Sequence, residues 1–343
     1  MLAYFARRIL LIIPTFVGMT MIAFAVMQFV PGGPIERKLM QLRGAGGGGE
    51  AGGGAAARTE IEIPAEALEA MKRFYGFDRP IHERYALWLW NIVRLDLGTS
   101  WVYREPVWNV IRSRLPISIF IGLVGFLLSY LICVPLGIAK ALRHGSQFDF
   151  VSSAIVFAGY SIPGWVVGIL LLTFLGGGTY LDWFPLRGWQ PMDWEERTAW
   201  GKVVGVAHHI SLPVFAYMLG HFTTLTILTK NSLLENLNAD YVRTAYAKGL
   251  SERRVIFLHA MRNSMIPLLT GLGHAFGLIL AGSYLIERVF SIDGMGYLAF
   301  NSLVKRDFPV ALGTLVISSL LILVGNILAD VLYCVFDPRI RFK

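Results

Sequence analysis

The sequence predicts an all-α, polytopic membrane protein with about six transmembrane helices and a long extracytoplasmic loop after the first of them. Of its 343 residues, 55% are hydrophobic and only 16% are charged, whereas soluble domains average about 25% charged residues. Several apolar runs reach the roughly 20 residues that an α-helix needs to cross a bilayer. Cys133 and Cys334 both fall inside apolar runs, so we interpret them as packing residues rather than a disulfide or a metal site.

Six apolar segments define the predicted spans. They cover residues 9–30, 117–139, 150–175, 210–229, 264–286 and 310–335. A signal peptide is the alternative for the first segment, because Arg7 and Arg8 precede it and "AFA" at 23–25 resembles a cleavage site. The apolar run continues to Val30, however, which is long enough to cross a bilayer, so the sequence favours an uncleaved anchor.

The charges of the loops predict that both termini lie in the cytoplasm. In this orientation the cytoplasmic segments hold 13 Lys or Arg against five acidic residues, and the outside loops 176–209 and 287–308 hold six against seven. Because basic residues concentrate on the cytoplasmic side of membrane proteins, we attribute the net charge of +8 to this bias and not to nucleic-acid binding. Loop 31–115 is long enough to cross the membrane regardless of its charge.

The chain divides into three predicted parts. They are a cytoplasmic end with the first span (1–30), an outside loop (31–115), and a membrane core (116–343) with a cytoplasmic loop at 231–263. The outside loop contains a low-complexity, glycine-rich insert at 44–57. Further on, "RYALWLWNIVRLDLG" has apolar residues at helical spacing, which is typical of a helix at a membrane surface. This helix is either part of a capping subdomain packed on the bundle or a docking surface for an external partner.

No arrangement typical of catalysis or metal binding is found in the sequence. A phosphate-binding loop G-x-x-x-x-G-K-[ST] is absent, and "HE" at 82–83 lacks the second histidine of a zinc protease motif. In "GYSIPG" (159–164) Pro163 stands where a nucleophile elbow needs glycine, so we expect a helix break there. His208 and His209 point in different directions on a helix, which disfavours a shared metal. We therefore predict a chain that is not an enzyme and holds no metal or cofactor.

Polar residues inside the predicted spans are candidates for lining a translocation pathway. His221, His274 and Asn326 lie within apolar runs, where polar side chains usually face the interior of the bundle. Hydrogen bonding between helices is the alternative role for them. Asp330 lies near the inner end of the last span, where hydration is accessible. No span carries the chain of acidic groups expected of a proton-coupled pump.

The most charged run in the second half of the chain is "DYVRTAYAKGLSERRVIFLHAMRNSMIP", residues 240–267. Asp240 is a good helix N-cap and Gly249 a good stop, which predicts a helix of about two turns. By helical spacing we expect one face to hold Val242, Ala245, Tyr246 and Gly249, and another to hold Arg243 and Ala247. Ser251 offers a second N-cap, with Glu252 in the first turn of a helix that continues into the next span.

A two-turn helix is not stable alone and needs a surface to lie on. Contact with anionic lipid headgroups explains the basic residues of this loop. It does not explain the alanine-rich face or the two helix caps, whereas a protein partner explains both. We therefore interpret residues 240–258 as a docking segment for a cytoplasmic protein.

This stretch resembles the "EAA" loop of bacterial ABC-importer permeases, in the form used by the dipeptide and oligopeptide branch. The motif is present as "TAYAKG" (244–249), followed by "LSERR" and "HAMRNSMIP". The acidic position of the general importer pattern is occupied by Arg243, and Pro267 falls later than in sugar importers. Both departures are normal for peptide permeases.

The resemblance extends over nearly the whole chain. It includes "RRILLIIPTFVGMTMIAFAVMQFVPGGP", "FDRPIHERYALWLWNIVRLDLGTS", "EPVWNVIRSRLP", "GYSIPGWVVGILL", "SIDGMGYLAFNSLVKRDFPV" and the ending "GNILADVLYCVFDPRIRFK". Within the family, "YLDWFPLRGW" (180–189) and the lengthened first loop are most similar to the microcin C and oligopeptide permease subunit of the B type. The glycine-rich insert has no counterpart in this resemblance.

The resemblance implies a type I ABC importer permease fold and a non-catalytic half of a peptide-transporting pore in the bacterial inner membrane. Its implied partners are a related second permease chain, two cytoplasmic ATPase domains that carry ATP and Mg, a periplasmic peptide-binding protein and membrane lipid, but no nucleic acid. The residues it implies for ATPase coupling are Asp240, Tyr241, Arg243, Thr244, Ala245, Ala247, Lys248, Gly249, Ser251, Glu252 and Arg253. Rival interpretations are a stand-alone secondary transporter or channel and, less favoured still, a membrane enzyme.

Overall fold

The computed structural model describes residues 2–29, 78–177, 180–268 and 282–336. These residues are almost entirely helical and form no named strand; two isolated bridges pair Thr99 with Pro106 and Gly176 with Phe184. The predicted all-α class is therefore confirmed. The glycine-rich insert 44–57 and the candidate His274 lie outside the described residues.

We number the α-helices of the described residues in chain order. They are α1 (Leu2–Phe29), α2 (Ile81–Val93), α3 (Val107–Leu142), α4 (Gln147–Ser161), α5 (Gly164–Leu175), α6 (Ala199–Leu237), α7 (Asp240–Ala247), α8 (Glu252–Arg254), α9 (Met261–Ser264), α10 (Tyr284–Val289), α11 (Met295–Val304) and α12 (Phe308–Phe336). A 3₁₀ turn covers Trp194–Glu196, and a π-helical segment, Val255–Ala260, joins α8 to α9.

Four of these helices, α1, α3, α6 and α12, are long and apolar enough to cross a membrane. The predicted span 150–175 is instead a pair of helices, α4 and α5, bent by 92°. The bend lies at Ile162 and Pro163, since Pro163 lacks the N–H that would continue the helix and is the N-cap residue of α5. The break expected in "GYSIPG" is thus observed. Most of the predicted span 264–286 falls in 269–281, outside the described residues, so the count of six stays a prediction.

The described residues form two compact units. The first comprises residues 1–12, 112–299 and 317–343, and the second residues 13–111 and 300–316. In the first unit, α3 and α6 approach closely at Gly137. A Cβ at this position would lie 2.6 Å from the Cβ of Thr229, so glycine sets the helix separation there.

In the second unit, α2 packs on α1 through its aromatic residues. The hydroxyl of Tyr85 lies 3.0 Å from Thr20 Oγ1 and donates to the carbonyl oxygen of Val17, while the Trp88 ring lies 5.3 Å from that of Phe24. Trp90, on the other side of α2, is 54% exposed. The inner face of α2 is thus occupied and its outer face is exposed, so both interpretations of this amphipathic helix remain open.

The second unit also joins residues 100–102, at the end of the predicted loop 31–115, to the start of α12. The buried carboxylate of Asp307 accepts hydrogen bonds from Ser100 Oγ (2.5 Å) and from the backbone N–H groups of Trp101 and Val102 (3.1 Å each). The Trp101 ring meets that of Phe308 edge to face at 5.7 Å. The segment before α3 and the segment before α12 therefore form one surface.

Candidate functional site: the coupling loop and two buried carboxylates

Helix α7 packs against other segments of its own chain. Val242 and Ala245 are 1% and 5% exposed. They belong to a buried apolar cluster that we name the seat. Its members are Ala141 of α3, Leu233 of α6, Val242, Ala245, Val255 and Ala260. Burial of this stripe supplies the stability that eight residues lack on their own.

The buried face of α7 is narrower than helical spacing suggested. Tyr246 was expected beside Val242 and Ala245, but it is 45% exposed, and Gly249 is also exposed. Tyr246 follows Ala245 directly and so points about 100° away from it around the axis, beyond the edge of the seat. Of the four residues expected on this face, only Val242 and Ala245 face inward.

The expected caps are confirmed in part. Asp240 is not the N-cap: that position belongs to Ala239, whose carbonyl accepts from the N–H groups of Val242 and Arg243 at 3.0 and 3.3 Å. Ser251 does occupy the N-cap position of α8, but its side chain makes no capping hydrogen bond. Gly249 ends α7 with φ = +75°, a left-handed conformation that costs glycine little.

The remaining side of α7 is open and polar. We name this exposed set the coupling surface; it consists of Tyr241, Arg243, Thr244, Tyr246, Ala247 and Lys248. Glu252 and Arg253, also among the expected coupling residues, are exposed just beyond it. The surface combines small residues, two aromatic rings and two cations, and Tyr and Arg are residue types enriched at protein–protein interfaces.

The segment after α8 connects α7 to the next predicted span. Residues Val255–Ala260 are π-helical and run directly into α9. Ser264 of α9 is joined to α6, because the Ser232 hydroxyl donates to Ser264 O (3.0 Å). The Ser264 hydroxyl lies 2.8 Å from Ala260 O and 3.2 Å from Ser232 O. The segment that follows α7 thus contacts α6 through Ser264.

Next to the seat lies an ion cluster that the sequence did not reveal. The Lys230 ammonium of α6 lies 2.7 Å from both carboxylate oxygens of Asp149, at the start of α4. Lys140 of α3, only 1% exposed, lies 3.2 Å from Asp149 Oδ1 and also donates to Asp149 O (3.0 Å) and to the hydroxyls of Ser152 and Ser153 (2.8 Å each). One carboxylate thus fastens the ends of three helices together.

The ion cluster and the seat share the same helix ends. Ala141 of the seat directly follows Lys140, and Leu233 follows Lys230 by three residues. The sequence showed Lys140 and Lys230 only as cytoplasmic loop charges. "GSQFDF" (145–150) held a further signal, because Ser146 caps α4 by accepting from the backbone N–H of Asp149.

A second buried carboxylate joins α3, α10 and α11. Glu287 is 1% exposed. Its Oε1 accepts from Ser118 Oγ (2.9 Å) and its Oε2 from the backbone N–H of Tyr297 (2.7 Å). The Ser118 hydroxyl oxygen also accepts from the N–H of Met295. Burial raises the pKa of Glu287 to about 7. The sequence placed Glu287 in an outside loop and gave no sign of its burial.

The polar candidates within the spans do not form a common site. His221 of α6 and Asn326 of α12 are half-buried, and neither lines the cavity of about 690 Å³ between α3 and α6. Asp330 is paired: its Oδ2 lies 2.8 Å from Arg8 Nη1 of α1. Its side chain is buried, contrary to the expectation that water solvates it.

His208 and His209 have separate partners. Nε2 of His208 lies 2.6 Å from Trp183 O, and Nδ1 of His209 lies 2.8 Å from Gly205 O. Within the described ranges no three His, Cys, Asp or Glu side chains are grouped closely enough to hold a metal ion.

The family of the chain is established by comparison with known proteins. Residues 133–342 match the family model described as "binding-protein-dependent transport system inner membrane component". The chain is 41% identical to the peptidoglycan transport system permease protein YejB of Agrobacterium fabrum, with 99% of this chain and 98% of the relative covered. It is 40% identical to the inner membrane ABC transporter permease protein YejB of Escherichia coli O157:H7, with 99% of each chain covered.

A third relative lies further away. The oligopeptide transport system permease protein AppB of Bacillus subtilis is 34% identical over 100% of both chains. These matches confirm the resemblance to the peptide branch of ABC-importer permeases. The apolar helices and the family together indicate a multi-pass protein of the inner membrane. The chain is a member of the binding-protein-dependent transport system inner membrane component family, the permease subunits of ABC importers.

Proposed function

We propose that this chain is the permease subunit that forms half of the translocation pathway of an ATP-driven peptide importer. Its relatives are named as permeases for oligopeptides, dipeptides and peptidoglycan. The observation that carries the proposal is the two-sided helix α7, which is seated inward on its own chain and presents the coupling surface outward. Cargo would be oligopeptides, including conjugates similar to microcin C.

In the proposed mechanism a cytoplasmic ATPase subunit binds the coupling surface. Closure of the ATPases on ATP and Mg would displace α7, and the seat would transfer that displacement to α3 and α6. The Asp149 carboxylate would carry α4 along, because it is bound to both Lys140 and Lys230. Such coupling is reciprocal, so cargo release and ATPase state would bias the same two conformations.

The remaining partners follow from this role. A related second permease would complete the pathway, and a periplasmic peptide-binding protein would land on residues 291–309 and on the exposed face of α2. Both termini would lie in the cytoplasm, and this chain itself would hold no cofactor and perform no catalysis. His221, His274 and Asn326 stay candidates for lining the pathway.

Two arginine substitutions separate docking from folding. Ala247 is exposed on the coupling surface, so Ala247→Arg should abolish co-purification with the ATPase subunits while the chain still pairs with the second permease. Ala245 is buried in the seat, so Ala245→Arg should also disturb the packing of α7 itself. Ala199→Arg, at an exposed alanine at the opposite end of α6, is the matched control.

The assay is purification of the tagged chain from its native membrane in mild detergent, with mass spectrometry of the proteins that accompany it. Recovery of an ATPase and a second permease with the parent chain and with Ala199→Arg, but loss of the ATPase with Ala247→Arg, is expected. If Ala247→Arg retained the ATPase and normal peptide uptake, the docking role of α7 would be wrong. Uptake driven by an ion gradient without any ATPase would indicate a stand-alone transporter instead.

A further inference from the structure

A cavity of about 690 Å³ lies between the N-terminal parts of α3 and α6, well within the range of small-molecule pockets. Apolar side chains form most of its wall, with Ile117 and Phe120 on α3 and Val206 and Ile210 on α6. Trp189 and Trp194, from the segment that precedes α6, also line it. The coupling mechanism makes no use of this cavity.

The polarity of the wall changes along the two helices. Ser113 and Lys202 line the cavity at the ends that precede the predicted spans, whereas Phe120 and Ile210 lie inside those spans. Eight residues separate Lys202 from Ile210, which corresponds to about 12 Å along a helix. The cavity therefore extends from the headgroup level of a bilayer towards its hydrocarbon, and tryptophans are enriched at that boundary.

Lys202 is the only charged residue among the described residues that line the cavity. Its ammonium lies 5.1 Å from the centroid of the Trp194 ring. The preferred ligand thus has one anionic group and an apolar tail. A partner's apolar helix placed here would bury the ammonium without an anion, which is costly. A peptide would leave most of its backbone N–H groups without partners, because the lining side chains supply one hydroxyl, one amine and two indole N–H groups, of which only the hydroxyl can accept a hydrogen bond.

We propose that the cavity binds one glycerophospholipid molecule, with its phosphate at Lys202 and an acyl chain along Ile117, Phe120 and Val206. In the orientation proposed above, this lipid belongs to the outer leaflet. It would fill the space between α3 and α6 at the end opposite the coupling loop.

The test uses the whole importer in nanodiscs that contain phosphatidylglycerol with a photoactivatable diazirine in its acyl chain. After illumination, digestion and mass spectrometry map the labelled residues. Labelling should concentrate on 117–120 and 206–210. Ala207→Trp, which fills the cavity from an exposed position, should abolish that labelling. Lys202→Glu and Lys202→Gln should both lower the labelling of these residues. Lys202→Gln should lower it about fivefold, because it removes one lysine–phosphate contact.

Lys305→Glu is the matched control. Lys305 also lies over an aromatic ring, 5.9 Å from that of Tyr103, but it does not line the cavity. Its substitution should leave labelling of the cavity unchanged. Uniform labelling along the spans, or labelling that Ala207→Trp does not reduce, would overturn the proposal. Labelling of the same residues by a photoactivatable cargo peptide but not by the lipid would assign the cavity to cargo. None of these three results would change the proposed docking role of α7.

Discussion

Removal of the Asp149 carboxylate should destabilise the end of the bundle where α3, α4 and α6 meet. Asp149→Asn leaves Lys140 buried at 1% exposure without an opposing charge, and breaking a buried ion pair costs about 3–5 kcal/mol. Lys140 would keep three oxygen partners, the backbone carbonyl at position 149 and two serine hydroxyls. His144, which lies 3.3 Å from Asp149, has a side chain 61% exposed, so water reaches one edge of the cluster. We therefore expect the lower limit, about 3 kcal/mol.

The assay is reversible unfolding of the purified chain by sodium dodecyl sulfate in mixed micelles, followed by tryptophan fluorescence. Asp193→Asn is the matched control, because Asp193 also pairs with a cation at 2.7 Å but on an exposed surface, where ion pairs contribute little. Combining Asp149→Leu with Lys140→Met should recover part of the loss, since an apolar pair replaces a broken charge pair. Equal unfolding free energies for Asp149→Asn and Asp193→Asn would refute the argument.

Three further changes test other elements, each by the same unfolding assay. Burial raises the pKa of Glu287 from an ordinary 4.5 to about 7, so its protonated form favours the folded state. The contribution of Glu287 to stability should be fully present below pH 4.5 and fall by about 3 kcal/mol as the pH rises to 7. Glu287→Gln should remove this part of the pH dependence, and an unchanged profile would contradict the assignment. Gly249→Ala should cost about 1 kcal/mol, because φ is +75° there; no loss would mean that α7 ends in another way. Ser100→Ala should cost about 1–3 kcal/mol by leaving buried Asp307 short of a donor, whereas the exposed Ser291→Ala should cost little.

Much of the fold follows from features that are local in the chain. Apolar runs predict where α1, α3, α6 and α12 lie because each needs only its own length and composition. Pro163 and Gly249 predict a break and a stop because each fixes its own backbone. The start of α7 was predicted less well, because its N-cap is Ala239 and not the expected Asp240.

Other features depend on partners distant in sequence, and local patterns do not reveal them. Asp149 and Lys230 are 81 residues apart, and Ser118 and Glu287 are 169 apart. Ala245 shows the limit most clearly. Its motif marks it as a coupling residue, but only the seat shows that it faces its own chain.

The contact between α2 and α1 has a consequence for how the chain varies in length. Because Tyr85 is hydrogen-bonded to Thr20, the residues between them form a closed loop whose ends stay in place whatever their number. The entropy of closing such a loop grows only with the logarithm of its length, about 0.6 kcal/mol for each doubling. A glycine-rich stretch such as 44–57 can therefore be added to this loop at small thermodynamic cost.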